Sequence, residues 1–149
     1  MDAQPVYLES EITQRSVTRH FAHDPKEVAR ARRVVRTELE AWDLVADMPA
    51  LELAVSELVT NAIVHGRGQV EVHMEDLDGF VRLEVRNEGT VGASRPTVRN
   101  DAANGGWGLR LVEGLSDTWG TWCADGSTHV WMERRTQRRG NDVDGGGQI

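Results

Sequence analysis

Two stretches of the chain carry apolar residues at three- and four-residue intervals, the spacing that predicts an amphipathic helix in each. The first stretch begins at Asp24-Pro25, where Asp24 can accept a backbone N–H and Pro25 suits the first turn. Its apolar positions are Val28, Ala31, Val35, Leu39 and Trp42. The second stretch begins near Met48-Pro49 and ends near Gly66. Its apolar positions are Leu51, Val55, Leu58 and Ala62.

Apolar and polar residues alternate elsewhere in the body of the chain, which predicts strands. The predicted strands cover residues 15–23, 69–75, 80–86, 118–124 and 128–133, and a short helix is predicted over residues 107–115. The turn pairs Asp78-Gly79 and Asp125-Gly126 join neighbouring strands into antiparallel hairpins. Helices grouped beside such strands predict an α+β fold. This is a two-layer α/β sandwich in which a mixed, mostly antiparallel sheet is covered on one face by helices.

Three segments show neither the helical spacing of apolar residues nor the alternation typical of strands. Residues 1–14 are predicted to be a flexible N-terminal segment, and residues 134–149 a disordered tail, on either side of one domain over residues 15–133. The arginine cluster in that tail could bind an acidic partner, but a solvated chain end is the expected role. Residues 87–106 are rich in Gly, Asn, Ser, Asp and Pro. So long a connection inside a compact domain is usually a functional lid or a disordered segment.

Composition narrows the class of protein. The 149 residues are 39% hydrophobic, which suits one core, and the formal net charge is −7. An acidic body repels a phosphate backbone, which argues against nucleic acid as a ligand. No apolar run reaches the roughly 20 residues of a membrane helix and no signal peptide is evident, so a cytoplasmic protein is predicted. Cys123 is the one cysteine and has no internal disulfide partner, and the histidines show no zinc-ligand spacing with it.

Three polar residues recur every four positions along the second predicted helix: Glu57, Asn61 and His65. This spacing sets them along one edge of the helix, beside its apolar stripe. A carboxylate can polarise an attacking water or hydroxyl, a carboxamide oxygen is a hard ligand suited to Mg²⁺, and an imidazole can meet a phosphate. The plain alternative is a solvated face, since any amphipathic helix shows polar residues at helical spacing.

Two further features carry candidate chemistry. Gly105, Gly106 and Gly108 lie at the start of the third predicted helix, where close backbone approach and free N–H groups favour phosphate oxygens. A flexible turn is the commoner use of such a stretch. Asn87 and Gly89 follow the third predicted strand, where a side-chain carbonyl could accept from a purine amino group or simply make a turn. Their order along the chain, rather than any one of them, points to a ligand site.

The five tryptophans could suggest a ligand cage. Four fall on predicted strands or on a helix stripe, where packing is the expected role: Trp42, Trp119, Trp122 and Trp131. Trp107 lies between two glycines. Its ring could stack on a base or pack in the core, which is the commoner use of a buried aromatic.

The order of these features resembles that of the histidine-kinase-like ATPase fold, which histidine kinases and gyrase share. The segment Glu57-Leu-Val-Thr-Asn61-Ala-Ile-Val-His65-Gly66 resembles the N-box of that fold. Gly106-Trp-Gly108-Leu109-Arg110-Leu111-Val112 is similar to its second glycine box, and Gly126-Ser127-Thr128 to its late Gly/Thr element. The nearest resemblance is to the small anti-sigma factor serine kinases of bacterial stress-response and sporulation switches. It covers about residues 15–133, and the N-box is its most specific part.

The resemblance implies a nucleotide site that uses ATP and Mg²⁺. Glu57 would be the base that polarises the attacking nucleophile, and Asn61 would bind the Mg²⁺. The other residues implied at the nucleotide are His65, Asn87, Gly89, Gly105, Gly106, Trp107, Gly108, Leu109 and Thr128. His65 and the glycine segment would approach the phosphates, the residues at the strand ends would surround adenine, and residues 90–104 would form the lid.

The resemblance further implies an anti-sigma factor that sequesters a sigma factor and phosphorylates a serine on an anti-anti-sigma antagonist with Mg·ATP. It would work as a homodimer, with no nucleic acid or membrane as partner. One residue departs from the family, because Asn87 stands where an Asp usually accepts from the adenine amino group. A neutral acceptor forgoes the charge assistance that roughly doubles the strength of such a bond. This favours a second interpretation, a binding module that has lost catalysis and keeps its partner surface.

A third interpretation is a detached ATPase domain that feeds a histidine phosphorelay. It is disfavoured because no phosphoacceptor helix is found ahead of residue 15.

Overall fold

A computed structural model describes residues 15–89 and 107–137. In chain order the elements are β1 (Arg15–Phe21), α1 (Glu27–Ala41), α2 (Met48–His65), β2 (Arg67–Asp76), β3 (Phe80–Glu88), α3 (Trp107–Leu115), β4 (Thr118–Ala124) and β5 (Ser127–Arg135). A single turn of 3-10 helix at Val45–Asp47 leads into α2. Every helix and strand predicted from the pattern is therefore present.

The strands form one sheet in the order β1-β2-β3-β5-β4, and each neighbouring pair is antiparallel. Alternate side chains of the three inner strands are buried on one face: Val70, Val72, Met74, Val81, Leu83, Val85, Val130 and Met132. The helical layer covers this face, and α2 contacts β2 and β3 directly. The predicted α+β sandwich is confirmed, and the described strands contain no parallel pair.

Helix α2 lies between α1 and α3 in the helical layer. It buries Leu51, Ala54, Val55, Leu58, Val59 and Ala62. From α1, the predicted apolar stripe buries Ala31, Val35 and Leu39, while Trp42 is buried at the C-terminal cap. Within the two described ranges, no helix combines the length and the apolar character that crossing a bilayer requires.

The strand ends differ from the predicted ones by a few residues. β1 ends at Phe21 because the chain turns there, with the backbone N–H of Asp24 donating to the carbonyl of Ala22 (2.8 Å). The strands β2, β3 and β5 are longer than the segments in which apolar and polar residues alternate. Backbone hydrogen bonds between paired strands continue beyond those segments, because they do not depend on the side chains. The domain boundary predicted at residue 133 therefore falls inside β5, which ends at Arg135.

A fully buried carboxylate holds the end of β5. Asp47 Oδ1 accepts from Arg134 Nε (3.2 Å), and Asp47 Oδ2 accepts from the backbone N–H of Gln137 (3.0 Å). Arg134 also donates to the carbonyl of Leu115 at the end of α3 (2.8 Å). The prediction that Arg134 is a solvated tail residue is therefore wrong, because its carboxylate partner lies 87 positions earlier in the chain. The remainder of the predicted tail and residues 1–14 lie outside the described residues.

Asp24 makes a side-chain turn just ahead of α1. Its Oδ1 accepts from the backbone N–H of Lys26 (2.9 Å). The N-cap residue of the helix is Lys26, which makes no side-chain capping hydrogen bond, so the helix begins two residues later than a cap at Asp24 would set it. We expect Asp24→Ala to lower the free energy of unfolding by about 1 kcal/mol in urea denaturation, because the Lys26 backbone N–H loses its acceptor. Asp24→Asn keeps an acceptor oxygen and should stay within about 0.5 kcal/mol of the wild type. Equal losses in the two variants would contradict the role of the Asp24 acceptor.

The face of the sheet opposite the helices carries polar and aromatic side chains. Three histidines there pair with glutamates: His20 with Glu71 (2.9 Å), His73 with Glu75 (2.8 Å) and His129 with Glu84 (2.7 Å). Trp122 stacks on His129 with the ring centroids 3.6 Å apart, and the guanidinium of Arg82 lies 4.6 Å from the Trp131 ring centroid. Trp119 packs against the core on the other face. The packing role predicted for the strand tryptophans is confirmed.

Candidate functional site

The polar edge of α2 forms one side of the candidate site. Glu57 and Asn61 are half-buried and His65 is exposed at the last turn of the helix. Successive members of the set are separated by about 6 Å along the helix axis, at a rise of about 1.5 Å per residue. The buried residues Leu58 and Ala62 each follow one of them directly, so the edge borders the core. The helix thus aligns a carboxylate, a carboxamide and an imidazole, as its four-residue spacing predicts.

Helix α2 ends at Gly66, directly against the end of β3. The backbone N–H of Gly66 donates to the carbonyl of Ala62 (2.9 Å) and closes the last turn of the helix. A Cβ built on Gly66 would overlap Asn87 Nδ2, so the Asn87 carboxamide occupies the space that a side chain at this position would need. This contact brings the end of the polar edge next to Asn87.

Asn87, Gly89 and Thr128 form a second group at the same end of the sheet. Asn87 and Thr128 are register partners in the β3–β5 ladder. Thr128 Oγ1 donates to the carbonyl of Gly89 (2.6 Å), and the backbone N–H of Gly89 donates to the carbonyl of Gly126 (2.8 Å). Gly89 has a φ of 107°, a conformation that L side chains rarely adopt. The structure therefore brings together Asn87, Gly89 and Thr128, the three residues that the resemblance implies around adenine.

The Asn87 side chain is 6% exposed and makes one described hydrogen bond. Its Nδ2 donates to the backbone carbonyl of Glu88 (3.1 Å). Its Oδ1 accepts no hydrogen bond from any residue in the described ranges. A carboxamide oxygen accepts hydrogen bonds, so Oδ1 can accept from a donor on a ligand.

Helix α3 holds the described end of the glycine segment and packs on α2. Trp107 and Gly108 are the first residues of α3, which packs on α2, and Leu109 is half-buried against the core. The predicted helix start is therefore in place. Gly105, Gly106 and the predicted lid at residues 90–104 lie outside the described residues. The choice between base stacking and core packing for Trp107 rests on a side chain that the structure leaves undescribed.

Two residues that lie beside the site were not predicted from the sequence to belong to it. Gly66 was noted as the end of a helix and as the last residue of the N-box resemblance, but no role at the site was given to it, although its missing side chain is what admits Asn87. Cys123 was considered only for disulfides and zinc, yet its Sγ lies 3.7 Å from Thr128 Oγ1. The strand pairing that makes Cys123 and Thr128 neighbours was readable from the Asp125-Gly126 turn, which fixes the β4–β5 register.

Comparisons with known proteins bear on the family and the fold of the chain. Residues 21–134 match the protein family described as Histidine kinase-like ATPase domain. Among solved structures, the chain is similar to the RsbU and RsbW domains of Rv1364c from Mycobacterium tuberculosis, with a TM-score of 0.59 and 22% sequence identity. That likeness concerns the fold, and it covers 82% of this chain but 33% of the other, so this chain spans about a third of its length. No curated protein matches significantly.

The family match extends over the described body of the chain, from the end of β1 to the end of β5. It includes the polar edge of α2, the Asn87 group and the start of α3. The chain belongs to the histidine kinase-like ATPase domain family.

Proposed function

We propose that this chain binds Mg·ATP between the polar edge of α2 and the end of β3, and uses it to phosphorylate a serine on a protein partner. The observation that carries the proposal is the contact of Gly66 with Asn87. Through this contact, the α2 residues suited to phosphate and metal lie beside a buried acceptor suited to a purine amino group. One ligand with a base at one end and phosphates at the other fits both groups.

The base end suits adenine. Asn87 Oδ1 is an acceptor without a described protein partner, and the 6-amino group of adenine is a donor. Thr128 and Gly89 are tied to each other by the 2.6 Å hydrogen bond, which keeps the backbone beside Asn87 in place. A side chain at Gly89 would be strained by the φ of 107°, whereas its Cβ would meet only ordinary contacts with Arg67 at 3.6 Å. The glycine is therefore required by the backbone conformation beside Asn87.

The phosphate end suits a metal that the nucleotide itself helps to hold. Among the described residues, no group of three His, Cys, Asp or Glu side chains could enclose a metal ion. Mg²⁺ commonly keeps one or two protein ligands and takes its remaining ligands from substrate phosphates and water. Asn61 Oδ1 would be such a ligand, and His65, one turn further on, would contact a phosphate. When bound, the Mg²⁺ would neutralise charge on the phosphates.

Glu57 is the residue proposed for proton transfer. It lies one turn before Asn61 on the same edge and is half-buried. Its carboxylate would accept the proton of a serine hydroxyl as the serine oxygen bonds to the γ-phosphorus and the bond to ADP breaks. The products would be phosphoserine and ADP.

The proposed partners follow from the family and from the structural neighbour. The similar structure contains an RsbW domain, and an anti-sigma factor kinase that acts on an anti-anti-sigma protein is the activity we propose for this chain. We further propose that it sequesters a sigma factor as a homodimer in the cytoplasm. The net charge of −7 argues against direct contact with nucleic acid.

A second candidate function is a binding module that regulates transcription by protein contact and transfers no phosphate. The specific observation in its favour is Asn87, whose neutral carboxamide stands where a charged carboxylate is usual and donates from Nδ2 to the Glu88 carbonyl. Such a base end binds adenine with a neutral hydrogen bond only, which is about half as strong as a charge-assisted one.

Calorimetry with ATP tests the two candidates. We expect binding with a dissociation constant on the order of micromolar that requires Mg²⁺, and at least about tenfold weaker binding by Asn61→Ala, which removes the proposed metal ligand. Thr60→Ala, on the exposed side of the same helix turn, is the matched control and should bind as the wild type does. Mg²⁺-independent binding, or none, would favour the module.

A further inference from the structure

Positive charge is concentrated in one part of this acidic chain. Residues 15–36 contain seven Lys or Arg and two Asp or Glu, a net charge of +5. The rest of the chain contains ten Lys or Arg and 22 Asp or Glu, a net charge of −12. The basic segment forms β1 and the larger part of α1. A partner that carries negative charge is therefore attracted to this part of the surface and repelled by the remainder.

Two arginines of α1 carry charge that no described acid neutralises. Arg36 of the same helix pairs with Glu52 of α2 (2.6 Å). Arg32 and Arg33 lie about one turn before Arg36, and both are exposed. Neither forms an ion pair with any residue in the ranges 15–89 and 107–137. Their guanidinium groups are therefore available to a partner.

The Arg36–Glu52 pair shows which part of α2 lies beside these arginines. The two helices pack against each other and are joined by a short connection, and helices joined in this way run antiparallel. One turn back from Arg36 on α1 therefore lies beside one turn forward from Glu52 on α2, and that turn contains Glu57. Arg32 and Arg33 are thus level with the proposed base.

The outward face of α2 carries exposed apolar side chains on both sides of Glu57. Leu53 is 41% exposed and Val64 is 67% exposed. Their separation of 11 residues is about three helical turns, so both point in nearly the same direction. Glu57 is one turn from Leu53 and lies at the edge of this face. A protein whose serine hydroxyl reaches the Glu57 carboxylate therefore lies over this face.

We propose that Arg32, Arg33 and Leu53 form the docking surface for the protein segment that presents the serine, and that this segment is acidic with apolar side chains. The inference rests on the proposed kinase function and adds to it the chemistry of the protein substrate. Carboxylates of the segment pair with the two arginines, and an apolar side chain covers Leu53. Complementary charge sets the rate and orientation of encounter more than the affinity. The negative remainder of the chain therefore directs the same segment to this surface.

Two synthetic peptides test this surface. Each has about 16 residues, enough for about four helical turns, with leucines at three- and four-residue intervals and one central serine. The remaining positions are glutamate in one peptide and lysine in the other. Fluorescence anisotropy without nucleotide, on versions with alanine in place of serine, measures docking alone. We expect the wild-type protein to bind the glutamate peptide at least about tenfold more tightly, with a difference that shrinks as salt is added.

A double variant removes the two charges. Arg32→Gln/Arg33→Gln should bind the glutamate peptide at least about tenfold more weakly than the wild type does. Ser16→Glu/Gln69→Glu is the matched control, because it changes the net charge equally. Both of its positions are exposed and alternate with buried residues of β1 and β2, so they lie on the sheet face opposite the helices. The control should bind within about threefold of the wild type.

The apolar contact has its own pair of variants. Leu53→Ser should weaken binding of the glutamate peptide by about threefold to tenfold, because part of a leucine side chain is no longer buried. Leu77 has a similar exposure of 37% but lies at the turn between β2 and β3. Leu77→Ser should therefore bind the peptide as the wild type does. Equal losses in the two variants would remove Leu53 from the docking surface.

Transfer of radiolabelled γ-phosphate to the serine peptides separates docking from chemistry. Arg32→Gln/Arg33→Gln should raise the KM for the glutamate peptide at least about tenfold and leave kcat within about threefold, since neither arginine belongs to the proposed nucleotide site. Equal binding of the two alanine peptides by the wild type, including binding of neither, overturns the docking surface. So does equally tight binding of an oligonucleotide of the same charge. The expected peptide preference without any transfer keeps the surface and overturns the proposed kinase activity.

Discussion

Replacing Asp47 by alanine should lower the free energy of unfolding by about 3 to 5 kcal/mol, the usual loss when one partner of a buried ion pair is removed. The carboxylate is 0% exposed and accepts from both Arg134 Nε and the Gln137 backbone N–H. Without it, the Arg134 guanidinium and one backbone donor lose their acceptor at the junction of α3 and β5. Urea denaturation followed by circular dichroism measures the loss.

Asp117→Ala is the matched control for this prediction. Asp117 Oδ2 accepts from the backbone N–H of Arg135 (2.6 Å) at the same end of β5, but the residue is exposed. Its loss should cost no more than about 1 kcal/mol, because water can replace the acceptor. A cost of Asp47→Ala as small as that of Asp117→Ala would show that the buried carboxylate contributes little to the stability of the fold.

Glu57→Gln should reduce phosphate transfer to the serine of the antagonist by about 10² to 10⁴-fold, the usual contribution of a positioned general base. The carboxamide has nearly the shape of the carboxylate but cannot take up the serine proton. ATP affinity should stay within about threefold of the wild type, since the proposed ligands of the nucleotide lie elsewhere on the helix and on β3. Transfer of radiolabelled γ-phosphate and calorimetry with ATP measure the two quantities separately.

Glu52→Gln provides the control on the same helix. Glu52 pairs with Arg36 of α1 (2.6 Å) on a partly exposed surface, and such pairs contribute about 0 to 1 kcal/mol to stability. The variant should transfer phosphate at the wild-type rate. If Glu57→Gln also transfers phosphate at that rate, Glu57 is not the base, and if the wild type transfers none, the binding module becomes the better account of the chain.

Much of the fold follows from local patterns in the sequence. The helices α1 and α2 were predicted closely because their apolar stripes and the Gly66 break are local signals, whereas the N-cap of α1 is Lys26 and not the predicted Asp24. The hairpins were predicted because Asp-Gly pairs at residues 78–79 and 125–126 are typical of tight hairpin turns. In the structure Asp78 and Asp125 have φ values of 54° and 52°, and each is followed by a glycine with positive φ. The order of strands in the sheet was not predicted, since the pairing of β3 with β5 depends on contacts that no local pattern encodes.

The candidate site also combines features that local patterns predict with contacts that they do not. Helical spacing set Glu57, Asn61 and His65 on one edge of α2. The contact between Gly66 and Asn87 could not be foreseen, because it depends on how far α2 extends over the end of β3. The Asp47–Arg134 pair was missed for a similar reason, since its members are 87 positions apart and an arginine near a polar tail resembles a solvated one.

The pairing of β3 with β5 also has a consequence for how the protein is made. The proposed base end of the site takes Asn87 from one hairpin and Thr128 from the other, and every β3–β5 register pair joins residues far apart in the chain. Such non-local contacts form late and slow the folding of a domain. While the ribosome is still adding β4 and β5, the central strand of the finished sheet is an open edge, and an open edge can pair with another chain. Synthesis of the last hairpin therefore both brings Thr128 beside Asn87 and covers the open edge of the central strand.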